Sequence, residues 1–376
     1  MEIYLDNAAT TKPSKEALDE YINVSNNCFG NPSALHKLGL SAEKCVKIAR
    51  ERVARSIGSI DKEIIFTSGG TESDNLAIIG TAEALKHKGR HIITSKIEHH
   101  AVLHTFQYLE SKGFEVTYID ALPNGKIDLE QLKSVVRDDT ILISVMLVNN
   151  ETGVIQPVDA LKDIAPNAII HSDCVQAYGK IPIDVNKLKI DLASFSGHKI
   201  HAVKGVGALY VKKGTRIKPI TFGGDQEGIR SGTLNTAGIS AFGVQAEQIY
   251  KFANEWNKKL ISIRNSLIDK LTTNIPDVYI NGEDAVAILN VGFDGLRGEV
   301  LLHALETKGI YVSTGSACTS KSTKISHVLN AMGVKQSVAE GSVRISFSVD
   351  TTEQEISDTA EEIKRQAEFL RKFKRR

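Results

Sequence analysis

The sequence has no charge excess and no long hydrophobic run. Its 376 residues include 46 basic and 45 acidic side chains, which leave a net charge of +1 with histidine neutral. That balance provides no charged tail of the kind that binds nucleic acid. No apolar stretch approaches the roughly 20 residues of a membrane-spanning helix, and the opening residues, MEIYLDNAATT, lack the basic and apolar regions of a secretory signal. We expect a soluble intracellular protein that binds neither nucleic acid nor a membrane.

Cysteine is also scarce. The four cysteines are widely spaced and form no C-x-x-C pair: Cys28, Cys45, Cys174 and Cys318. This scatter argues against a zinc site or a disulfide framework and fits the reducing cytoplasm. We expect the first three to be inert small hydrophobic residues. Cys318 stands among small and polar residues with Lys321 and Lys324 nearby, so we expect it to be accessible and partly thiolate.

Short apolar runs alternate with helical stretches through the first half of the chain. This alternation predicts an α/β protein with a mostly parallel sheet covered on both faces. Between residues 191 and 211 the pattern changes to short strands with tight glycine turns. The predicted strands cover residues 63–67, 91–95, 115–119, 141–148 and 168–172, and the predicted helices cover residues 73–87, 102–112, 129–136 and 158–164.

A long helix without internal proline is predicted over about 236–273, and Pro276 ends it. Beyond it the pattern starts again, with strands at 278–280 and 287–291 and a helix at 298–308. We therefore predict a change of domain inside the long helix. Spacing alone leaves open whether the short N-terminal stretch joins the second domain.

One segment can bind an anion. The apolar run that ends at Thr67 leads into Ser-Gly-Gly-Thr and then a helix, so the backbone N–H groups near Gly70 and Thr71 suit a phosphate. The alternative is an ordinary glycine turn in which Thr71 or Ser73 caps the helix. This segment alone does not decide between the two, because it is neither a Walker loop nor a G-x-G-x-x-G motif.

Two further segments add chemistry at strand ends. Asp173 follows a buried strand, where open α/β sheets place ligands, and Gln176 follows three residues later; the alternative is an aspartate that caps the next turn. Lys199 lies among small residues after a short strand, although most lysines are surface residues. A phosphate cradle, a strand-end acid and a lysine in this order are what pyridoxal phosphate requires.

With these three segments the chain resembles the cysteine desulfurases of the NifS/IscS type. These are fold-type I pyridoxal-phosphate enzymes similar to class-V aminotransferases. The resemblance covers nearly the full length, and its ordered motifs are specific as a set. They are residues 4–11 (YLDNAATT), 30–33 (GNPS), 68–75 (SGGTESDN), 98–99 (EH), 148–153 (VNNETG), 173–176 (DCVQ), 196–199 (SGHK), 230–233 (RSGT) and 316–320 (SACTS).

The resemblance implies a large cofactor-binding domain over residues 15–255. A smaller α+β domain would combine residues 1–14 with 256–376 and carry the Cys318 loop. A homodimer is expected, because the resemblance implies that Thr233 binds the phosphate in the neighbouring subunit. No metal site is expected, apart from a transient iron–sulfur contact through Cys318.

The ring of the cofactor would be held by five side chains. By the resemblance, Lys199 binds the cofactor through a Schiff base and His99 stacks on the ring. Asp173 pairs with the pyridine nitrogen and Gln176 with the ring oxygen. Asn149 lies beside the ring and helps to orient the substrate.

The phosphate and the substrate would be held by a second set. The resemblance assigns the phosphate to Gly70, Thr71, Ser196 and His198, together with Thr233. It assigns the substrate to a further group that includes an arginine, whose planar guanidinium can bind a carboxylate with two parallel hydrogen bonds. The alternative for that arginine is a surface ion pair. The substrate-binding residues are Asn7, Asn149 and Arg344.

The implied catalytic residues are Cys318, Lys199 and His99. L-cysteine would bind to the cofactor, which serves as an electron sink while Lys199 removes the α-proton. The Cys318 thiolate would attack the substrate sulfur, leaving a persulfide and L-alanine. The sulfur would then pass to an acceptor protein, for iron–sulfur cluster assembly or for tRNA thiolation.

The chain departs from the family pattern at three places near the phosphate and dimer regions. Ala202 and Val203 stand where relatives carry glycine and proline, segment 222–228 is shorter, and residues 348–350 replace Gly-Arg. The alternatives are a selenocysteine lyase, another class-V aminotransferase-like enzyme, or a non-catalytic scaffold with this fold.

Overall fold

The computed structural model describes residues 2–223, 226–315 and 325–372. Within these ranges the chain has the predicted α/β fold, built around a seven-stranded sheet. The strands are β1 Ile3–Tyr4, β2 Ile64–Thr67, β3 His91–Ser95, β4 Glu115–Ile119, β5 Thr140–Ser144, β6 Ile169–Asp173, β7 Leu192–Ser196, β8 Gly207–Val211, β9 Val278–Ile280, β10 Ile288–Phe293, β11 Ile310–Tyr311 and β12 Ser342–Ser346. The helices are α1 Lys15–Asn27, α2 Lys37–Ser56, α3 Gly70–Leu85, α4 His100–Ser111, α5 Leu129–Val135, α6 Leu161–Ile164, α7 Thr236–Asn274, α8 Gly298–Glu306, α9 His327–Ala331, α10 Gln336–Glu340 and α11 Glu353–Arg371.

The central sheet has the strand order β2-β8-β7-β6-β5-β3-β4. Strands from β7 to β4 are parallel, whereas β8 runs antiparallel to both of its neighbours. Every residue of β2, β3, β5, β7 and β8 is buried. Strands covered on both faces need apolar side chains on each face, which explains their nearly continuous apolar sequences. The carboxyl ends of β3, β5, β6 and β7 therefore meet at one edge.

The predicted strand over 141–148 is wrong at its end, because β5 stops at Ser144. Residues 145–148 are nevertheless buried. Alternate N–H groups of this segment donate to carbonyl oxygens of β6, so the chain follows β6 without a regular ladder. An apolar run shows burial, and burial alone does not distinguish a strand from an irregular buried segment.

The remaining strands form two smaller sheets. One is antiparallel with the order β12-β10-β9, and the other pairs β1 with β11 in parallel. Helix α7 contacts α1 and α2 as well as α11 and β9. Its buried residues fall into two groups, within 236–249 and 260–271. The predicted domain boundary at 255–256 lies between these groups and stays a prediction.

The helices of the described ranges include none that is both long enough and apolar enough to span a bilayer.

Candidate active site

A cavity of about 230 Å³ lies at the carboxyl edge of the central sheet. Its wall comes from the start of α3, the residue before α4, the ends of β6 and β7, and strand β12. Parallel strands end at the same edge, so the fold gathers residues that are far apart in sequence. Nine predicted site residues line this cavity: Gly70, Thr71, His99, Asp173, Gln176, Ser196, His198, Lys199 and Arg344.

Some lining residues were not predicted from the sequence. Ala8, Asp74 and Asn150 lie inside motifs on which the resemblance depends, so their motif membership was a usable signal. Met146 lies in the buried segment after β5 and in none of the motifs. Its side chain was indistinguishable from any other core residue in the sequence.

The start of α3 carries an uncapped helix N-terminus. Gly69 is the N-cap residue, and no side chain forms a capping hydrogen bond there. The alternative that Thr71 or Ser73 caps the helix is therefore wrong; the Ser73 hydroxyl is buried instead against β8, 3.1 Å from the Ala208 oxygen. A Cβ added at Gly70 would lie 2.7 Å from Cγ2 of Val175, so only glycine fits without displacement. This end of the cavity has the exposed N–H groups of an anion site.

The same end carries polar and basic side chains. An adjoining depression is lined by Ser196, His198 and Lys204 as well as by Thr71. Nδ1 of His198 lies 3.2 Å from the hydroxyl of Thr10. Burial, followed by neighbouring lysines of which Lys199 is the strongest, lowers the pKa of His198 to about 4. His198 is therefore neutral and able to donate one hydrogen bond at pH 7.

Asp173 ends β6 with its carboxylate buried at the floor of the cavity. Its Oδ1 accepts a hydrogen bond of 2.8 Å from the Val175 N–H. Asp173 therefore caps the next turn, as in the alternative interpretation, and also lines the cavity. Burial raises the pKa of Asp173 to about 6, although the Val175 bond and Lys199 oppose the rise. A cationic ring nitrogen placed here would favour the ionised carboxylate.

A buried polar network supports Asp173 from behind. The Asp74 carboxyl has a raised pKa because it is buried and lies near Asp173. His171 lies between the strands, with Nε2 3.7 Å from Asp74 and Nδ1 2.8 Å from the Ser144 hydroxyl. Burial lowers the pKa of His171 to about 3, so it is neutral. Of the two aspartates, Asp74 and Asp173, the second therefore ionises more easily.

His99 is the N-cap residue of α4, and this role fixes its ring. Nδ1 accepts a hydrogen bond of 3.2 Å from the Ala101 N–H. Burial and then Lys199 lower the pKa of His99 to about 4. The ring is therefore neutral with its proton on Nε2, and a neutral, fixed imidazole is suited to stack on a second aromatic ring.

Lys199 follows β7 in a short 3₁₀ turn, Gly197–Lys199. Its Nζ donates to the backbone oxygens of Ala8 and Ala9, the latter at 2.8 Å. The alternative of an ordinary surface lysine is therefore wrong: this amine lies at the cavity wall against the N-terminal segment. Gln176 contacts the same segment, because its Nε2 donates to the Ala8 oxygen at 2.9 Å.

Arg344 lies on β12 and is only 2% exposed. Its Nη2 is 2.9 Å from Oδ1 of Asp6, and its Nη1 donates to the Asn150 oxygen at 3.0 Å. Within the described ranges, Nε has no hydrogen-bond partner. The alternative of a surface ion pair is wrong, because the guanidinium is buried at the cavity wall with donors still available.

Two predicted residues direct their amides away from the cavity. Nδ2 of Asn7 donates to the backbone oxygens of Tyr4 and Ser346. Oδ1 of Asn149 accepts from its own turn, including the Glu151 N–H, and its Nδ2 donates to the Ile97 oxygen. Neither side chain lines the cavity in this structure, and both shape the wall next to it.

Two further predictions concern residues outside this cavity. Thr233 is exposed and does not line the cavity of its own chain. Its segment is tied to the first turn of α3, since Nε of Arg230 lies 2.7 Å from Oε1 of Glu72. Cys318 lies outside the described residues. In the described ranges, no cluster of three or more histidine, cysteine or acidic side chains is arranged to hold a metal.

The other cysteines differ in burial. Cys174 is fully buried, as expected, and burial raises its thiol pKa. Cys28 and Cys45 are only half-buried, so the expectation of burial was wrong for them. Cys28 directly follows α1 and Cys45 lies within α2. Burial and the neighbouring Cys28 raise the pKa of Cys45 to about 11, which keeps its thiol protonated.

Comparison with known proteins agrees with this geometry. Residues 3–358 match the model of the family described as aminotransferase class-V. A protein named cysteine desulfurase IscS from Methanosarcina thermophila is 44% identical over 98% of this chain and 93% of its own length. The chain belongs to the class-V aminotransferase family, among the cysteine desulfurases of the NifS/IscS type.

Further family members are similarly close. A cysteine desulfurase IscS from Escherichia coli is 45% identical over 99% of this chain and 94% of its own length. A solved structure described as a NifS-like protein superposes with a TM-score of 0.92 at 38% identity, covering 98% of this chain and all of that one. The structure of SspA in complex with cysteine has a TM-score of 0.82 at 33% identity, covering 94% of this chain and all of that one.

Proposed function

We propose that this chain is a pyridoxal-phosphate-dependent cysteine desulfurase, which removes sulfur from L-cysteine and releases L-alanine. The observation that carries the proposal is the meeting of Lys199, Asp173 and His99 at one cavity that also contains an uncapped helix N-terminus. The family relatives named for this activity match over nearly their whole length, and one neighbouring structure, that of SspA, was solved with cysteine.

The residues present fit pyridoxal phosphate. No side chain caps the N-terminus of α3. Gly70 keeps space open at this end, because a Cβ at that position would clash with Val175. The Asp173 carboxyl has a pKa raised to about 6 chiefly by burial, and a cationic ring nitrogen beside it would stabilise its anion further. Lys199 supplies the amine for the covalent linkage, and the neutral ring of His99 lies at the same cavity. When bound, the cofactor supplies an electron sink for the substrate α-carbon.

The protein's own groups bind the substrate and move its proton. Arg344 binds the carboxylate of L-cysteine with the donors that Asp6 and Asn150 leave available. Lys199 is the base that takes the α-proton, because its Nζ lies at the cavity wall.

The persulfide is assigned to Cys318. Its thiolate attacks the sulfur of L-cysteine; the carbon–sulfur bond breaks, a sulfur–sulfur bond forms, and the carbon skeleton leaves as L-alanine. The described residues on either side of segment 316–324 meet at Glu151. A Cβ at Gly315 would lie 3.4 Å from Oε2 of Glu151, and the Ser326 hydroxyl donates to the same oxygen. Glu151 follows Asn150, which lines the cavity, so both anchors of the segment are close to the site.

A homodimer completes this proposal. Thr233 is exposed and absent from its own cavity, as a residue serving a neighbouring site must be. Large apolar side chains are also exposed near the start of α2 and in the loop before α7, with Leu35 at 93% and Phe222 at 85%. Exposed apolar groups of this size favour a protein interface. The second subunit's Thr233 would thus contribute to the phosphate site.

The sulfur acceptor is proposed to be a protein of iron–sulfur cluster assembly or of tRNA thiolation. A reducing compartment such as the cytoplasm suits this role, because Cys28, Cys45 and Cys174 are free thiols. For sulfur to leave the persulfide of Cys318, the acceptor protein must present a nucleophile of its own.

The test compares alanine and persulfide formation in the wild type and in Cys318→Ala. We expect the wild type to form one alanine per sulfur released, and the variant to bind cofactor and lose sulfur release. Cys28→Ala is the matched control and should keep full activity. Undiminished sulfur release by Cys318→Ala would contradict the assignment. Amino transfer to a keto acid would favour an aminotransferase, and a preference for selenocysteine would favour a lyase.

A further inference from the structure

Lys180 is a buried lysine with no role in the function described so far. It lies four residues after Gln176, in the turns that follow β6, and is only 6% exposed. Its Nζ donates to Oε1 of Gln176 at 2.8 Å, and its backbone oxygen accepts from Nδ2 of Asn257 at 3.0 Å. Among the described residues, no carboxylate forms an ion pair with it or raises its pKa. Buried lysines usually have an acidic partner, because burial penalises the charged form.

The charges around Lys180 are positive. Lys180 and Lys199 line the same small cavity, of about 20 Å³, behind the cofactor site. Burial lowers the pKa of Lys180 to about 7, and Lys199 and Arg344 contribute to the decrease. Electrostatic repulsion is mutual, so a charge on Lys180 also disfavours a second positive charge at Lys199. The titratable or charged groups coupled to Lys180 are Lys199, Arg344, His198 and His201.

Lys180 also fixes the orientation of the Gln176 amide. While Lys180 is protonated it can only donate, so the atom that it contacts at 2.8 Å is the amide oxygen. The amide nitrogen then donates to the Ala8 oxygen at 2.9 Å and keeps a second N–H at the cavity that Gln176 lines. Without Lys180 the amide oxygen loses its donor, and only the contact with the Ala8 oxygen is left to hold the amide in this orientation.

We propose that Lys180 is a positioning residue that sets the protonation of the linkage between Lys199 and the cofactor, by holding Gln176 as a donor and by placing a positive charge behind Lys199. This inference rests on the proposed cofactor. A donor to the ring oxygen stabilises the ionised oxygen, and the nearby charge disfavours a protonated linkage. Both effects make the linkage lose its proton at a lower pH; the donor acts throughout, and the charge acts while Lys180 is protonated, near and below pH 7.

The test is a visible absorbance titration of the cofactor-loaded enzyme between about pH 6 and pH 10. Lys180→Met keeps the length of the side chain and removes its charge and its donors. We expect its titration midpoint to rise by roughly one pH unit relative to wild type. Lys180→Arg keeps charge and donors and should stay close to wild type. Lys187→Met, at a lysine whose side chain is 85% exposed, is the matched control and should titrate as wild type.

Lys180→Gln serves as a second uncharged variant, so that the test does not depend on the folding of one protein. A wild-type midpoint in either uncharged variant overturns the inference. A wild-type enzyme without cofactor absorbance would contradict the proposed function together with this inference. Normal absorbance with an unshifted midpoint would overturn this inference alone.

Discussion

Arg344 and Asp6 form an ion pair at the cavity wall, with Nη2 and Oδ1 2.9 Å apart. The arginine side chain is 2% exposed and the aspartate side chain 21% exposed. A second donor, Nη1, contacts the Asn150 oxygen at 3.0 Å. These two contacts hold a flexible side chain in one orientation, so the carboxylate-binding fork is formed before the substrate arrives.

Asp6→Asn tests this preorganisation. The variant keeps the size of the side chain and removes the charge that fixes Arg344. We expect the KM for L-cysteine to rise about tenfold, equivalent to roughly 1.4 kcal/mol of binding free energy, with a smaller change in kcat. Steady-state alanine formation measures both constants. Asp19→Asn, on exposed helix α1, should behave as wild type, and an unchanged KM in Asp6→Asn would show that Asp6 does not position the arginine.

Gly70→Ala tests the anion site at the start of α3. The added Cβ would lie 2.7 Å from Cγ2 of Val175, so the turn must shift away from the phosphate position. We expect cofactor affinity to fall at least about tenfold, or roughly 1.4 kcal/mol. Cofactor titration followed by absorbance measures this change. The double variant Gly70→Ala/Val175→Ala should recover much of the loss, with Val175→Ala alone as control; no recovery would exclude the clash as the cause.

Glu98→Gln tests a pH effect on stability. Burial raises the pKa of Glu98 from 4.5 to about 8, with a smaller contribution from Asp173. The folded protein therefore keeps a proton that the unfolded chain releases, so this group's contribution is fully present below about pH 4.5 and is lost as the pH rises to about 8. We expect Glu98→Gln to lose less stability between pH 5 and pH 8, by on the order of a few kcal/mol.

Urea unfolding of the cofactor-free protein at several pH values measures this difference. Glu110→Gln is the control, because Glu110 is exposed on α4, and its profile should follow that of the wild type. Parallel profiles for Glu98→Gln and wild type would contradict a protonated Glu98.

The sequence predicts the strands well where a polar residue or a turn follows the apolar run. β3, β4 and β9 begin and end as predicted, and α7 ends one residue later than predicted. β5 differs because the chain after Ser144 remains buried without forming a ladder. The contact that keeps it inside is with β6, and such a contact is not encoded in the local pattern.

The site could be predicted only where a residue's role depends on its motif. The SGHK and DCVQ segments contain Lys199 and Asp173, which line the cavity, while their roles stay predictions. The amides of Asn7 and Asn149 instead satisfy backbone oxygens, among them that of Ser346. Ser346 and Ile97, which accept from these amides, are far from them in sequence, so the direction of each amide depends in part on tertiary structure. The sequence also did not show that Lys180 is buried and that no acidic residue in the described ranges pairs with it.

The pairing of β1 with β11 has a consequence for synthesis. Ala8 and Ala9 accept the hydrogen bonds of Lys199, and Asp6 holds Arg344, yet the strands that fix this N-terminal segment, β11 and β12, are synthesised after Lys199 and the start of α3. A nascent chain therefore carries the lysine and the phosphate cradle long before the opposite wall exists. The pocket is complete only once β12, which carries Arg344, has been made, so its assembly depends on a contact between two distant parts of the chain.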